Sequence, residues 1–319
     1  MSHEPRVRTF ADEIKAVPGG EHLELCYSCG TCVSKCMIQQ KVEPDYNPRR
    51  LLRMAMLGMK DEAFASPTTW LCSECDLCYS ACPQEIHISQ VIKAVKQLAV
   101  EAGYTSPLTA VSVNEDLCSG CGVCAMVCPY QAPSLFEKEV DGQMDRFSRV
   151  DPNKCMGCGT CVAACPLGAI AREGVSNAEI TVQFPSSPKK APTLIVFACD
   201  WSLREEQDLF ILESYPKEQV NVVHIPCTGR IDPQLAMMAL DSGVKGVLVC
   251  GCKPGECHYK RGTDVATCKI SLLDTMLGQM QLPHKQIRFV QIGTQERGRI
   301  RREIDSMLSA LSEQMEATA

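Results

Sequence analysis

Cysteine dominates the chemistry this chain could do: there are 22 in 319 residues, and most fall in four copies of one spacing, Cys-x-x-Cys-x-x-Cys-x-x-x-Cys. The copies are Cys26, Cys29, Cys32, Cys36; Cys72, Cys75, Cys78, Cys82; Cys118, Cys121, Cys124, Cys128; and Cys155, Cys158, Cys161, Cys165. Three thiolates at a three-residue step hold three corners of a 4Fe-4S cube, and the fourth cysteine reaches across to a neighbouring cube. Two pairs of runs therefore predict four cubane clusters. Pro129 and Pro166 complete the signature in the third and fourth runs. Disulfides would need an oxidising compartment, yet the opening MSHEPRVRTFADEIKAVPGG lacks the apolar core of a secretory signal. Zinc takes ligands as two pairs, and these triplets leave an odd thiol in every run.

The elements that must position these thiols are spread over a chain long enough for two or three domains. A net charge of -6 argues against a general nucleic-acid binder, which needs a basic face. No apolar stretch approaches the ~20 residues of a membrane span. The chain is expected to be cytoplasmic, and its many reduced thiols point to an anaerobic or oxygen-poor host.

Before the first run, a helix is predicted around Phe10 to Val17, ended by Pro18-Gly19-Gly20. Between the first two runs, Pro48 suits a first helical turn and Gly58 marks its end. The methionines there (Met54, Met56, Met59) read as adaptable packing around a cluster or as a docking surface, and Arg49, Arg50 and Arg53 as a solvated face. After the second run, Ile88, Val91, Ile92, Val95, Leu98 and Ala99 give a helix with one buried face. Cys26-Tyr27-Ser28-Cys29-Gly30-Thr31-Cys32, Trp70-Leu71-Cys72-Ser73-Glu74-Cys75-Asp76-Leu77-Cys78-Tyr79 and Cys82-Pro83-Gln84 resemble the C subunit of heterodisulfide reductase. The resemblance implies an all-α two-cluster ferredoxin over residues 1–105. It also implies that Cys26, Cys29, Cys32 and Cys82 hold one cube and that Cys72, Cys75, Cys78 and Cys36 hold the other. Met37 stands where that family usually has proline.

Residues 106–175 resemble a two-cluster bacterial-type ferredoxin of α+β fold, with an insertion whose Val140-Asp141-Gly142-Gln143 predicts a hairpin turn. By cross-ligation, Cys118, Cys121, Cys124 and Cys165 hold one cube, and Cys155, Cys158, Cys161 and Cys128 the other. Residues 176–192, rich in proline and serine, are expected to be a linker.

From residue 193 to 319, strands over Leu194 to Ala198, Val220 to Ile225, Val244 to Val249 and Ile287 to Ile292 alternate with helices over Gln234 to Asp241, Ala266 to Met280 and Gln295 to Leu311. Such alternation predicts an α/β domain with a mostly parallel sheet. Cys199, Cys227, Cys250, Cys252 and Cys257 fall at or beyond strand ends, where sites form in such sheets. Four converging thiolates hold a 2Fe-2S cluster or a zinc ion, and spacing does not choose between them. Phe197-Ala198-Cys199-Asp200-Trp201, Pro226-Cys227-Thr228-Gly229-Arg230-Ile231-Asp232-Pro233 and Gly251-Cys252-Lys253-Pro254-Gly255-Glu256-Cys257-His258-Tyr259 resemble the delta subunit of methyl-viologen-reducing hydrogenase. That family binds a 2Fe-2S cluster and relays electrons to the flavin subunit of heterodisulfide reductase. The resemblance implies Cys199, Cys227, Cys252 and Cys257 as ligands. Cys250 is a reserve candidate on an apolar strand, and Ser202 stands where many members carry a further cysteine. His258 could hydrogen-bond to the cluster, and Arg230 reads as a clamp for an anionic cofactor or as a structural ion-pair partner.

No Gly-x-Gly-x-x-Gly follows a strand, so no flavin is expected on this chain. The whole reads as a multidomain electron-transfer subunit with five redox centres within hopping distance. It is expected to face a heterodisulfide reductase A-like flavoprotein and a hydrogenase, formate dehydrogenase or other catalytic subunit, in flavin-based electron bifurcation. The alternative is a self-contained reductase doing thiol-disulfide chemistry at Cys252 and Cys257.

Overall fold

The computed structural model describes residues 8–318 except 141, 186–187, 189–190, 204–205, 281–286, 294–295 and 297. The chain divides into two compact units, residues 1–108 and 109–319.

The described part of the first unit contains helices and no strand: α1 Phe10–Lys15, α2 Thr31–Ser34, α3 Met37–Lys41, α4 Pro48–Met56, α5 Lys60–Ala65, α6 Pro67–Leu71 and α7 Ile88–Glu101. Helix α4 starts where Asn47 accepts the Arg50 amide and Pro48 needs no hydrogen-bond partner for its nitrogen. Helix α7 turns Ile88, Val91, Ile92, Val95 and Ala99 onto the core, against Leu51, Leu52, Phe64 and Trp70. Met37 has a local consequence: without a proline after Cys36, helix α3 begins there, with Cys36 as its N-cap. In the other three runs the third residue beyond the last cysteine (Glu85, Gln131, Gly168) is left-handed instead.

The second unit opens with a cysteine-rich part holding β1 Ser112–Val113, α8 Val123–Val127, β2 Pro133–Val140, β3 Gln143–Val150, α9 Thr160–Ala164 and β4 Ile170–Ala171. β1 pairs antiparallel with β4, and β2 with β3 from Pro133↔Val150 to Val140↔Gln143. Of the predicted turn, Asp141 lies outside the described residues. The small core of this part is built as much from thiols as from hydrocarbon: Val111, Ala132 and Ile170 cluster with Cys124, Cys155 and Cys161.

Residues 176–192, expected as a linker, contain helix α10 Asn177–Thr181, started by a Ser176/Glu179 capping box; Ile180 inserts into the core of the following domain. That domain has β5 Leu194–Cys199, α11 Glu206–Glu213, β6 Val220–Ile225, α12 Pro233–Asp241, β7 Gly246–Cys252, α13 Gly262–Gln279, β8 Ile287–Ile292 and α14 Arg299–Thr318. The sheet order is β6-β5-β7-β8 and all three pairings are parallel. Every residue of β5 and β7 is buried, as expected of central strands covered on both faces. Ile195, Phe197, Val247 and Val249 meet residues of α12 and α13; Leu194, Val196, Leu248 and Cys250 meet residues of α11 and α14. Helix α11 is not among the predicted helices, and β7 runs three residues past its expected end at Val249, taking in Cys250 and Cys252.

Candidate iron-sulfur centres

The four runs share one backbone path. The third and fifth residues of each are left-handed: Ser28 and Gly30, Glu74 and Asp76, Gly120 and Gly122, Gly157 and Gly159. Three of these are not glycine, and each such residue costs about 1–2 kcal/mol in that conformation. Strain repeated at equivalent positions marks a functional constraint, here a loop that turns successive N–H groups inward as a nest for anionic sulfur. The Ser28 amide lies 3.4 Å from Cys26 Sγ and the Ala169 amide 3.3 Å from Cys165 Sγ.

In the first unit, Cys26, Cys29 and Cys32 line one small hollow together with Cys82 of the second run. Arg49 leans over it; its Nη1 lies 3.2 Å from where a Cβ on Gly30 would stand. Cys72, Cys75 and Cys78 face Cys36 of the first run. Burial pushes the Cys72 thiol up to about 12, with Cys75 and Cys36 adding to the rise. Burial raises the Cys78 thiol as well, with Cys72, Cys75 and Cys36 among the neighbours that add to it. The buried Tyr46 hydroxyl hydrogen-bonds with both Cys72 and Cys36, stitching the two runs together.

The second unit repeats the arrangement. Cys118, Cys121 and Cys124 line a small hollow with Cys165 of the next run. Cys155, Cys158 and Cys161 are buried, and burial raises the Cys158 and Cys161 thiols, with Cys128 of the preceding run among the neighbours that raise them further. One buried side-chain nitrogen among the described residues lacks a hydrogen-bond partner, Arg172 Nε, and it lies 3.2 Å from where a Cβ on Gly157 would stand. An orphan donor on this loop and a ring of thiols fit a sulfur-rich anionic group. Such a cluster would be held in each ring by the four thiolates, displacing their protons.

In the α/β domain, Cys199 ends β5, Cys252 ends β7, Cys227 caps the 3₁₀ turn Thr228–Arg230, and Cys257 lies in the loop before α13. Their thiols form a row. Cys199 Sγ lies 4.0 Å from Cys252 Sγ, Cys252 contacts Cys257, and Cys257 contacts Cys227. These contacts hold Cys199 and Cys257 below the ordinary thiol value and push Cys252 and Cys227 well above it. Among the described residues, no three His, Cys, Asp or Glu side chains are arranged to hold a single metal ion. Gly262 is part of the cradle: a Cβ there would stand 2.1 Å from Cys227 Sγ. Cys250 is fully buried among Leu248, Ile300 and Ile304, with Cys199 the one thiol of the row among the charges acting on it. Ser202 Oγ lies 3.0 Å from the Gly251 carbonyl and 3.1 Å from that of Ile292, tying strand ends rather than joining the thiols. His258 is buried and stacks on Trp201.

The last two thiol groups adjoin. The stem of Arg230 packs on Gly159, Thr160 Oγ1 lies 2.6 Å from where a Cβ on Gly229 would stand, and Cys158 is among the charges acting on Cys227. Arg230 is fully buried: Nε donates to the Val175 carbonyl at 2.6 Å, Nη2 to Asn177 Oδ1 at 2.6 Å, and Nη1 faces Asp232 at 3.4 Å. It is an internal ion-pair partner, closed to an external phosphate. Lys269 Nζ reaches the Ala163 carbonyl at 3.3 Å. Sequence reasoning passed over Tyr46, Arg172, Gly262 and Lys269, because nothing in their local pattern sets them apart.

Nested cysteine loops, cross-paired thiol rings and a parallel-sheet domain with its own thiol row define an iron-sulfur protein of modular build. The 4Fe-4S dicluster domain models match residues 22–86, 71–132 and 117–169, and the model for the methyl-viologen-reducing hydrogenase delta subunit matches residues 194–314. The iron-sulfur D subunit of the F420-non-reducing hydrogenase of Archaeoglobus profundus is 35% identical over 107 residues, 33% of this chain and 77% of that protein. The chain belongs to the hydrogenase delta-subunit family through this last domain. Its first part is similar to the C subunit of the H(2):CoB-CoM heterodisulfide,ferredoxin reductase of Methanothermobacter marburgensis, 37% identical over 100 residues, 31% of this chain. The chain spans about half the length of that relative, 52%. The A subunit of the ferredoxin:CoB-CoM heterodisulfide reductase of Methanosarcina mazei is 30% identical over 150 residues, 46% of this chain and 19% of that protein. No helix among the described residues is long and apolar enough to cross a membrane.

Proposed function

We propose that this chain is an iron-sulfur electron-transfer subunit that relays electrons between a heterodisulfide reductase A-like flavoprotein and a catalytic partner such as a hydrogenase or formate dehydrogenase, within flavin-based electron bifurcation. The observation that carries the reading is the adjoining of thiol groups in the second unit: Cys161 is influenced by Cys124 of the neighbouring ring, and Cys158 acts on Cys227 across the packed joint. Redox centres placed so close exchange electrons without a diffusing carrier.

In this reading four 4Fe-4S clusters and one 2Fe-2S cluster supply one-electron storage and transfer. Cys26, Cys29, Cys32 and Cys82 hold the first; Cys72, Cys75, Cys78 and Cys36 the second; Cys118, Cys121, Cys124 and Cys165 the third; Cys155, Cys158, Cys161 and Cys128 the fourth. Cys199, Cys227, Cys252 and Cys257 hold the fifth. The protein's own work is positional. Left-handed loops present amides to sulfur, Tyr46 and the Arg49 side chain polarise their rings, and the apolar shells of Val111, Ala132 and Ile170 and of β5 and β7 exclude water.

Anaerobic purification of the tagged chain from its host tests this. Recovery with a flavoprotein and a catalytic partner, and about eighteen iron atoms per chain, is the expected result. Recovery alone with about sixteen would overturn it in favour of a dithiol at Cys252 and Cys257.

A further inference from the structure

We infer that the ring of Cys155, Cys158, Cys161 and Cys128 is the electron well of the second unit, its cluster made easier to reduce than its neighbour by Arg230, Arg172 and Lys269. The inference rests on the reading that this ring holds a 4Fe-4S cluster.

Three basic side chains converge on this one ring, each on a different part of its backbone. Arg172 lies on Gly157, with its Nε buried and unpartnered and its Cζ 3.3 Å from where a Cβ would stand. The Cδ of Arg230 lies 2.9 Å from the equivalent point on Gly159. Lys269 donates to the carbonyl of Ala163, inside helix α9 between Cys161 and Cys165. One carboxylate, that of Asp232, faces Arg230 at 3.4 Å and offsets part of this charge. Cys161 is the ring member that acts on Arg230, and Cys227 acts on Lys269, so the cations lie between the ring and the thiol row of the α/β domain.

The neighbouring ring offers a contrast. The residues lining the hollow of Cys118, Cys121, Cys124 and Cys165 include no lysine or arginine; Arg146 lies against Gly120 through its backbone and Cβ, and the residue is exposed. A four-thiolate cluster is anionic, and reduction adds one more negative charge. Arg230 is fully buried and Arg172 and Lys269 are half-buried, so water screens their stabilisation of the reduced form only in part. A cluster held by the ring with the cations would therefore be the better electron acceptor of the two, and it would lie beside Cys227. Arg230 and Lys269 come from the α/β domain, so the potential of a cluster in the ferredoxin part is set by residues of the delta-like part. Docking of a partner at the α/β domain can then alter where the electron rests.

The test is an anaerobic redox titration of the full chain, followed by electron paramagnetic resonance, with iron and sulfide assayed on each sample. Cys158→Ser marks the signal of this ring by changing its g-values. Lys269→Met and Arg172→Met are each expected to shift the electron-sharing equilibrium between the two rings about tenfold toward the other ring, about 59 mV for a one-electron couple. Arg230→Met is expected to do the same, with Arg230→Lys restoring the wild-type midpoint. Full iron content with unchanged midpoints in Lys269→Met and Arg172→Met overturns the inference while leaving the cluster assignment standing. A wild-type chain without a 4Fe-4S signal sensitive to Cys158→Ser overturns both.

Discussion

Gly159 and Arg230 fit as socket and bolt: the arginine Cδ lies 2.9 Å, and its Cβ and Cγ 3.4 Å, from the point a Cβ on the glycine would occupy. Gly159 also has a φ of +79°, which an L side chain adopts only at a cost. Gly159→Ala is expected to destabilise the second unit by about 2 kcal/mol, roughly 1–2 of it conformational, and to slow electron transfer between the ferredoxin part and the α/β domain. Thermal unfolding under anaerobic conditions and rapid-mixing reduction kinetics measure the two effects. An alanine variant with wild-type kinetics would show that the joint is not the electron route.

Gly262 makes a sharper case, since a Cβ at 2.1 Å from Cys227 Sγ leaves no room for both atoms. Gly262→Ala and Cys227→Ser are each expected to lower iron from about eighteen to about sixteen per chain while the 4Fe-4S signals persist. Cys250→Ala serves as the control. Its thiol sits in the core against α14, so the variant should keep all its iron and lose about 1 kcal/mol of stability through a small cavity. Iron loss from Cys250→Ala with full retention in Cys227→Ser would reverse the ligand assignment.

Tyr46 bridges two runs through its hydroxyl, buried at 2% exposure. Tyr46→Phe keeps the ring and its packing and removes the hydrogen bonds to Cys72 and Cys36. The expected cost in stability is about 1 kcal/mol, and the midpoint of one first-unit cluster should fall, because hydrogen bonds to sulfur favour the reduced form. A redox titration in which all 4Fe-4S midpoints match the wild type would show that the hydroxyl serves packing alone.

Helix α10 carries a pH-dependent latch. Hydrogen bonds from Ser176 and from the amide of Gly174 hold the Glu179 carboxyl at about 2, below its ordinary 4.5. A lowered folded value means the contribution is complete above pH 4.5 and lost as pH falls toward 2. Hydrogen exchange of the Gly174 and Ser176 amides should therefore be protected equally from about pH 8 to about pH 5, and Glu179→Gln should exchange faster throughout that range. Equal protection in the two proteins would remove the latch.

The cysteine spacing was legible in the sequence because a three-residue step is local information, β5 because Leu194-Ile195-Val196-Phe197 is apolar throughout, and β6 and β8 because short β-branched runs with few polar residues mark them. Helix α11 was not legible: Glu206–Glu213 has no strong apolar stripe, and its place is set by Ile211 and Leu212 meeting α14. Helix α10 hid in a segment dominated by proline and serine, where one isoleucine reaching a distant core decides the outcome. The roles of Arg230 and Lys269 lie in contacts 55 and 106 residues away along the chain, beyond any local pattern.

That last separation has a consequence for biogenesis. The ring that includes Cys161 is complete in sequence once Cys161 is made, yet Lys269, which donates to the Ala163 carbonyl beside it, lies 106 residues beyond Ala163. At roughly 5–20 residues per second of synthesis, the ring stands uncovered for about 5–20 s on the ribosome before the α/β domain can close over it. In the proposed reading, a cluster inserted during that interval would meet thiols that the α/β domain does not yet cover.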